Sequence, residues 1–158
     1  MKRKRRKTKR RLVTIPVWTY AQAKAAVPYL KSIMRSLRTH QIDAQGHDLA
    51  VRRLTNRPGR PDRKTLVAHA DAVEDTRQAR ERYHEAEQEL QSLGVFCLDA
   101  VRGEALIPFV QDEQLAWFIL DTFAPEPLQS WRFHSDSLET RRPLGDVEDG
   151  ETQTAQAV

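Results

Sequence analysis

At Gly94 the spacing of apolar residues changes, and that change divides the chain into a helical half and a strand half. Before it, Ala23, Val27, Leu30, Met34 and Leu37 recur at steps of three and four, which lines them along one face of an α-helix. Thr19 followed by Gln22 has capping-box spacing, so the helix begins near Tyr20. Pro28 lies inside it, where the missing N–H and the ring cost about 3 kcal/mol and predict a kink. The stripe weakens from His40 to Gly46, recovers at Leu49, Val51 and Leu54, and stops in the loop Asn56-Arg57-Pro58-Gly59-Arg60-Pro61. Asp62 then caps a second helix striped by Leu66, Ala70, Val73, Ala79, Tyr83, Ala86, Leu90 and Leu93, with Gly94 as its natural stop. Helices over about 20–54 and 63–93, joined by a short loop, predict an antiparallel hairpin of coiled-coil character.

Beyond Gly94 the period is two. Val95 to Leu98, Ala105 to Val110, Leu115 to Leu120 and Leu128 to Phe133 read as four short strands, filling about 95–134. Arg102-Gly103, Gln111-Asp112 and Ala124-Pro125-Glu126-Pro127 punctuate them, which predicts an antiparallel meander. Pro108 cannot donate to a ladder, so its strand has an edge or a bulge there. The strand Leu115–Leu120 is apolar on both faces, and one helical layer covers only one of them. Either Leu12–Trp18 or Leu138–Leu144 closes the second face, or a second subunit does in a homodimer. The fold class is therefore α+β: a long helical hairpin on a small antiparallel sheet.

Charge is distributed unevenly. Lys2, Arg3, Lys4, Arg5, Arg6, Lys7, Lys9, Arg10 and Arg11 are interrupted only by Thr8. The whole chain carries +4 and these nine residues +9, which leaves −5 for the rest. Asp146, Glu148, Asp149 and Glu151 account for four of those negative charges, so the body from Leu12 to Leu144 stands at −1, with 17 basic and 18 acidic residues. A block of like charges with nothing apolar to bury predicts a disordered arm over 1–11 that attracts RNA or DNA, and the composition from Gly145 predicts a disordered acidic tail over 145–158. The body, 12–144, is expected to be one domain. Its longest apolar run, Leu115–Leu120, falls far short of the ~20 residues of a spanning helix. Leu12–Val17 is too short and too broken for a secretory signal. With Cys97 the lone cysteine, these features predict a cytoplasmic protein without a disulfide.

Few residues suggest chemistry. His40, Asp43 and His47 could share a helical face as metal ligands, but Gly46 intervenes and no fourth ligand is evident, so a solvated face accounts for them. Glu81 and His84 have di-iron spacing in a single copy where two are needed. Cys97 has no base nearby and reads as a small buried residue. Trp117 and Trp131 occupy apolar strand positions, where packing explains them better than base stacking does. No metal and no cofactor are expected. The best site in the body is Arg132 and His134 on one strand face, followed by Arg141 and Arg142. Together they offer forks and an imidazole to an anion. The structural alternative pairs Arg132 with a neighbouring-strand carboxylate such as Asp121.

These segments resemble a bacterial domain family of unknown function, number twenty-two hundred and three in its series. The resemblance rests on Trp18-Thr19 with Val27-Pro28-Tyr29-Leu30, on Leu93-Gly94-Val95 with Asp99, and on the strand from Arg102 to Phe109. Trp117, Phe133-His134 and Arg141-Arg142-Pro143-Leu144 complete it, so that it spans residues 18–144. The chain departs from the family at Ala116-Trp117-Phe118, Leu120-Asp121 and Phe133-His134-Ser135, and the basic arm is no part of the pattern. The family has no settled activity, so the resemblance implies fold more than function. The residues together predict a non-enzymatic binding or scaffold protein whose arm contacts RNA or DNA without sequence choice. The alternatives are a protein–protein adaptor using the hairpin, and an anionic-ligand binder or enzyme using Arg132, His134 and Arg142.

Overall fold

The computed structural model describes Thr14–Val147. The expectations for the basic arm, and for the tail beyond residue 147, lie outside the described residues. Helix α1 spans Tyr20–Thr55 and helix α2 spans Arg63–Ser92. The Thr19 capping box forms as expected: the Gln22 N–H donates to Thr19 Oγ1 and the Thr19 N–H to Gln22 Oε1. Asp62 caps α2 by accepting from the Thr65 N–H at 2.8 Å. Helix α1 is continuous through Pro28 and through the weak stretch around Gly46, where Ala44 is buried. Helix α2 ends in a Schellman motif, with the Val95 N–H on Leu90 O and the Gly94 N–H on Gln91 O. Gly94 has φ +73°, a conformation open to glycine without strain. Val95 therefore belongs to the helix stop, and the first strand begins one residue later.

Five strands follow in meander order: β1 Phe96–Asp99, β2 Glu104–Gln111, β3 Gln114–Asp121, β4 Leu128–Phe133 and β5 Arg142–Pro143. Neighbours are antiparallel throughout. Asp112 and Glu113, both at positive φ, make the two-residue turn between β2 and β3. Strand β5 has only two residues and no alternation, so periodicity had nothing to register. The chain then makes a 3₁₀ turn over Leu144–Asp146, and Leu144 and Val147 pack on the core. The folded domain thus runs past Gly145, where an acidic tail was expected to begin.

Pro108 occupies a local edge. Strand β1 stops at the Phe96–Leu106 pair, so the β1-facing side of Pro108 is free of the ladder, and its carbonyl accepts from the Trp18 N–H at 2.8 Å. This strand position, which lacks a donor, is met by a segment that needs only an acceptor.

One sheet face carries Ile107, Phe109, Phe118, Leu120 and Trp131, which pack against Leu30, Met34, Leu37 and Leu90 of the helices. Phe109 and Phe118 stack at 3.8 Å between centroids. The opposite face is also closed. Leu106, Trp117 and Ile119 are 8%, 6% and 3% exposed and pack with Ile15, Leu98 and Leu115. The chain buries both faces of β3 by itself, so the argument from β3 to a second subunit falls away. The hairpin, in contrast, outruns the sheet. Helix residues of the main core end at Leu37 on α1 and start at Ala86 on α2. Past Arg38, whose guanidinium lies over Phe123 at 4.8 Å, and Tyr83, which still packs on the core, the buried helix residues are Ala44, Ala72, Thr76 and Ala79.

Candidate functional site

The four cationic or titratable residues expected to converge on one patch converge only in part: Arg132 and Arg142 both meet Asp136, His134 meets Trp117, and Arg141 turns away. In the β3–β4 register Phe118 faces Trp131 and Trp117 faces Arg132, so Arg132 lies on the face opposite the helices. That face does not expose it to solvent. Arg132 is 4% exposed, β4 is flanked by β3 and β5, and the turn after β4 folds over the guanidinium. Its Nη1 donates to the carbonyls of Phe133 and Asp136 at 3.2 and 3.4 Å. Asp121 is not its partner: that carboxylate accepts from the Phe123 and Ala124 N–H groups in the β3–β4 loop.

Asp136 organises this corner. Its Oδ2 accepts from the Phe133 N–H at 2.9 Å, and Arg142 reaches it bidentately, Nε to Oδ2 at 2.8 Å and Nη2 to Oδ1 at 3.0 Å. The Arg142 fork holds the Asp136 carboxyl below the ordinary carboxylate range, assisted by the Phe133 N–H and by the nearby charges of Arg142 and Arg132. Arg142 also lies over the rings of Phe133 and Trp131, at 4.9 and 5.5 Å. Trp131 Nε1 donates to Pro143 O at 3.0 Å, which ties β5 to β4 a second time. Arg141 points elsewhere, to the carbonyls of Leu138 and Thr140 and towards Glu104 at 3.9 Å. His134 is exposed, and its Nδ1 accepts from Trp117 Nε1 at 3.1 Å. Arg132, Arg142 and Asp136 therefore act as a fastener for the segment 134–143, although the buried Arg132 Nε has no hydrogen-bond partner among the described residues.

The other sequence candidates resolve separately. His40 bonds Ser36, Glu81 pairs with Arg77, and His84 bonds Gln88. Among the described residues no three His, Cys, Asp or Glu side chains gather in metal-binding geometry. Burial, with the negative charges of Glu87 and Asp99, pushes the Cys97 thiol up to about 11, so it is not a ready nucleophile.

Summing charge over the whole body concealed one group of residues. Arg52, Arg53, Arg57, Arg60, Arg63 and Lys64 surround the α1–α2 loop, and all are exposed. Beside them lies a concavity of about 450 Å³ lined in part by Thr55, Arg57, Arg60, Thr65 and His69. A larger groove, about 800 Å³, runs between the helices past Val51, Val73 and Thr76. A charge count in a short window would have found the tip. Compared with family models, curated proteins and solved structures, the chain matches none of them.

Proposed function

We propose that the protein is a non-enzymatic nucleic-acid-binding protein that holds RNA or DNA through residues 2–11 without sequence choice. The observation that carries this reading is the block of nine cations in ten residues, set beside a body whose net charge is −1. Such a block releases phosphate counterions on binding and reads no base edges. The competing reading, an anionic-ligand binder or enzyme using Arg132, His134 and Arg142, has less in its favour, because Arg132 and Arg142 are engaged with protein groups while His134 alone is exposed. An adaptor reading keeps one observation in its favour: Leu49, Leu66, Val67 and Val73 of the hairpin are each about half exposed. The likeness to an uncharacterised bacterial domain family belongs to the same proposal and adds no chemistry to it.

Deleting residues 2–11 tests the reading. Nine engaged cations give a log–log salt slope of up to about −8 on duplex DNA and about −6 on single strands. The deletion is expected to remove most of the affinity and of that slope while leaving the circular dichroism spectrum nearly unchanged. Equal affinity before and after deletion would overturn it.

A further inference from the structure

The body's near-neutral balance hides a separation of charge along the hairpin. From Asp71 to Ser92, α2 holds seven acids and three arginines, and several pair locally, as Arg77 does with Glu74 and Glu81. Between Arg52 and Lys64 there are six cations and a single acid, Asp62. Arg52 is committed to Asp48 at 3.0 Å. Among the described residues Arg53, Arg57, Arg60, Arg63 and Lys64 form no ion pair.

Three physical facts single out this end of the molecule. From Leu37, the last α1 residue of the main core, to Thr55 is a helical run of about 27 Å at 1.5 Å per residue. The tip is thus held well clear of the sheet on a rigid support. Arg63 and Lys64 occupy the first turn of α2, which contains no acid. Cations there oppose the helix dipole, which the Asp62 carboxylate meets at the cap, and they favour a further anion beside it. Arg57 and Arg60 also line the 450 Å³ concavity beside the loop, with Thr55, Thr65 and His69 as further polar groups and Asp62 as its one acid.

We propose that the hairpin tip is a second phosphate-binding surface, one that docks the sugar–phosphate backbone of a nucleic acid and is independent of the arm. Guanidinium forks predominate, and they match phosphate oxygens two at a time. A membrane-seeking tip would carry aromatic or aliphatic residues at its apex. The apex here, Asn56-Arg57-Pro58-Gly59-Arg60-Pro61-Asp62, has none except proline, and the nearest exposed aliphatic residues, Leu66 and Val67, lie behind it on α2. Where arm and tip engage the same nucleic acid, the second contact is intramolecular and raises the overall affinity by its effective concentration.

The test uses the full chain with Arg53→Gln, Arg57→Gln, Arg60→Gln, Arg63→Gln and Lys64→Gln combined, titrated with a short DNA duplex over a range of salt. The slope is expected to become shallower by about 4, with helix content unchanged by circular dichroism. A second full-length chain, in which the cations of residues 2–11 are replaced by serine, separates the two sites. Its remaining salt-dependent binding is expected to vanish when the five tip substitutions are added. An unchanged slope in the first variant, with no binding left in the second, overturns the tip and leaves the arm reading intact. Binding that survives the serine replacement in full and is lost with the tip upholds the tip and overturns the arm. Should the tip substitutions weaken only binding to phosphatidylserine-containing vesicles, the surface belongs to a membrane and the proposal fails.

Discussion

Arg132 shows how far a single residue's meaning depends on what the turn after it does. Alternation placed it correctly on the face shared with Ser130 and opposite Trp131. It said nothing of the segment 134–141 that returns over it. A buried guanidinium with backbone carbonyl partners is expensive to lose, so Arg132→Ala is expected to cost at least about 2 kcal/mol. Chemical denaturation checks this against the half kilocalorie or so of an ordinary surface change. Thr122 presents the opposite case. It is 1% exposed and its Oγ1 has no partner among the described residues. Thr122→Val is expected to stabilise by about 1 kcal/mol, and a lower melting temperature would show that the hydroxyl is bonded. Gly94 was legible as a helix stop. The contact that forbids a side chain there was not: an added Cβ would sit 2.5 Å from Pro16 Cγ. Gly94→Ala is expected to cost more than about 1 kcal/mol, the left-handed penalty alone, measurable in the same denaturation series.

At the scale of elements, the caps and periods were legible because they are local. Thr19→Ala removes one side of the α1 capping box and is expected to cost about 1 kcal/mol, seen as a lower denaturation midpoint at unchanged slope. Asp62→Ala joins the element to the proposed tip. It strips the α2 cap and the only acid among the six cations, so the prediction is a lower melting temperature together with tighter duplex binding at low salt. A variant both destabilised and weaker in binding would separate the cap from the charge argument. Strand β5 escaped the sequence reading because two residues cannot display a period. It exists because Arg142 is held by Asp136 and Trp131 reaches Pro143 O.

For the whole molecule, the sheet is closed on both sides by one chain, and the hairpin extends past it. The Asp136–Arg142 fastener makes stability sensitive to acid in a defined direction. Asp136 in the fold has a pKa below its ordinary 3.8. Its contribution is therefore fully present above that value and is lost as pH falls from there through the folded pKa. Asp136→Asn is expected to flatten this part of the acid limb in a plot of melting temperature against pH. A limb identical to that of the unmodified protein would show that the pair contributes nothing to acid stability.

The α+β class, both helices with their caps, four of the five strands and the direction of the meander could be read from the order of the residues. Each of these is written in neighbours a few residues apart, as a period, a cap or a turn residue. Tertiary structure decided what sequence distance conceals. It decided which side of β4 the turn would cover, that Ile15 and Leu98 would close the face opposite the helices, and that Trp18 would meet the free carbonyl of Pro108. It also decided that the cations flanking a loop would stand together at the end of a projecting hairpin. Averaged over the body those charges cancel; separated along a rigid pair of helices they do not, because Coulomb interactions weaken with distance and screening acts over about 10 Å.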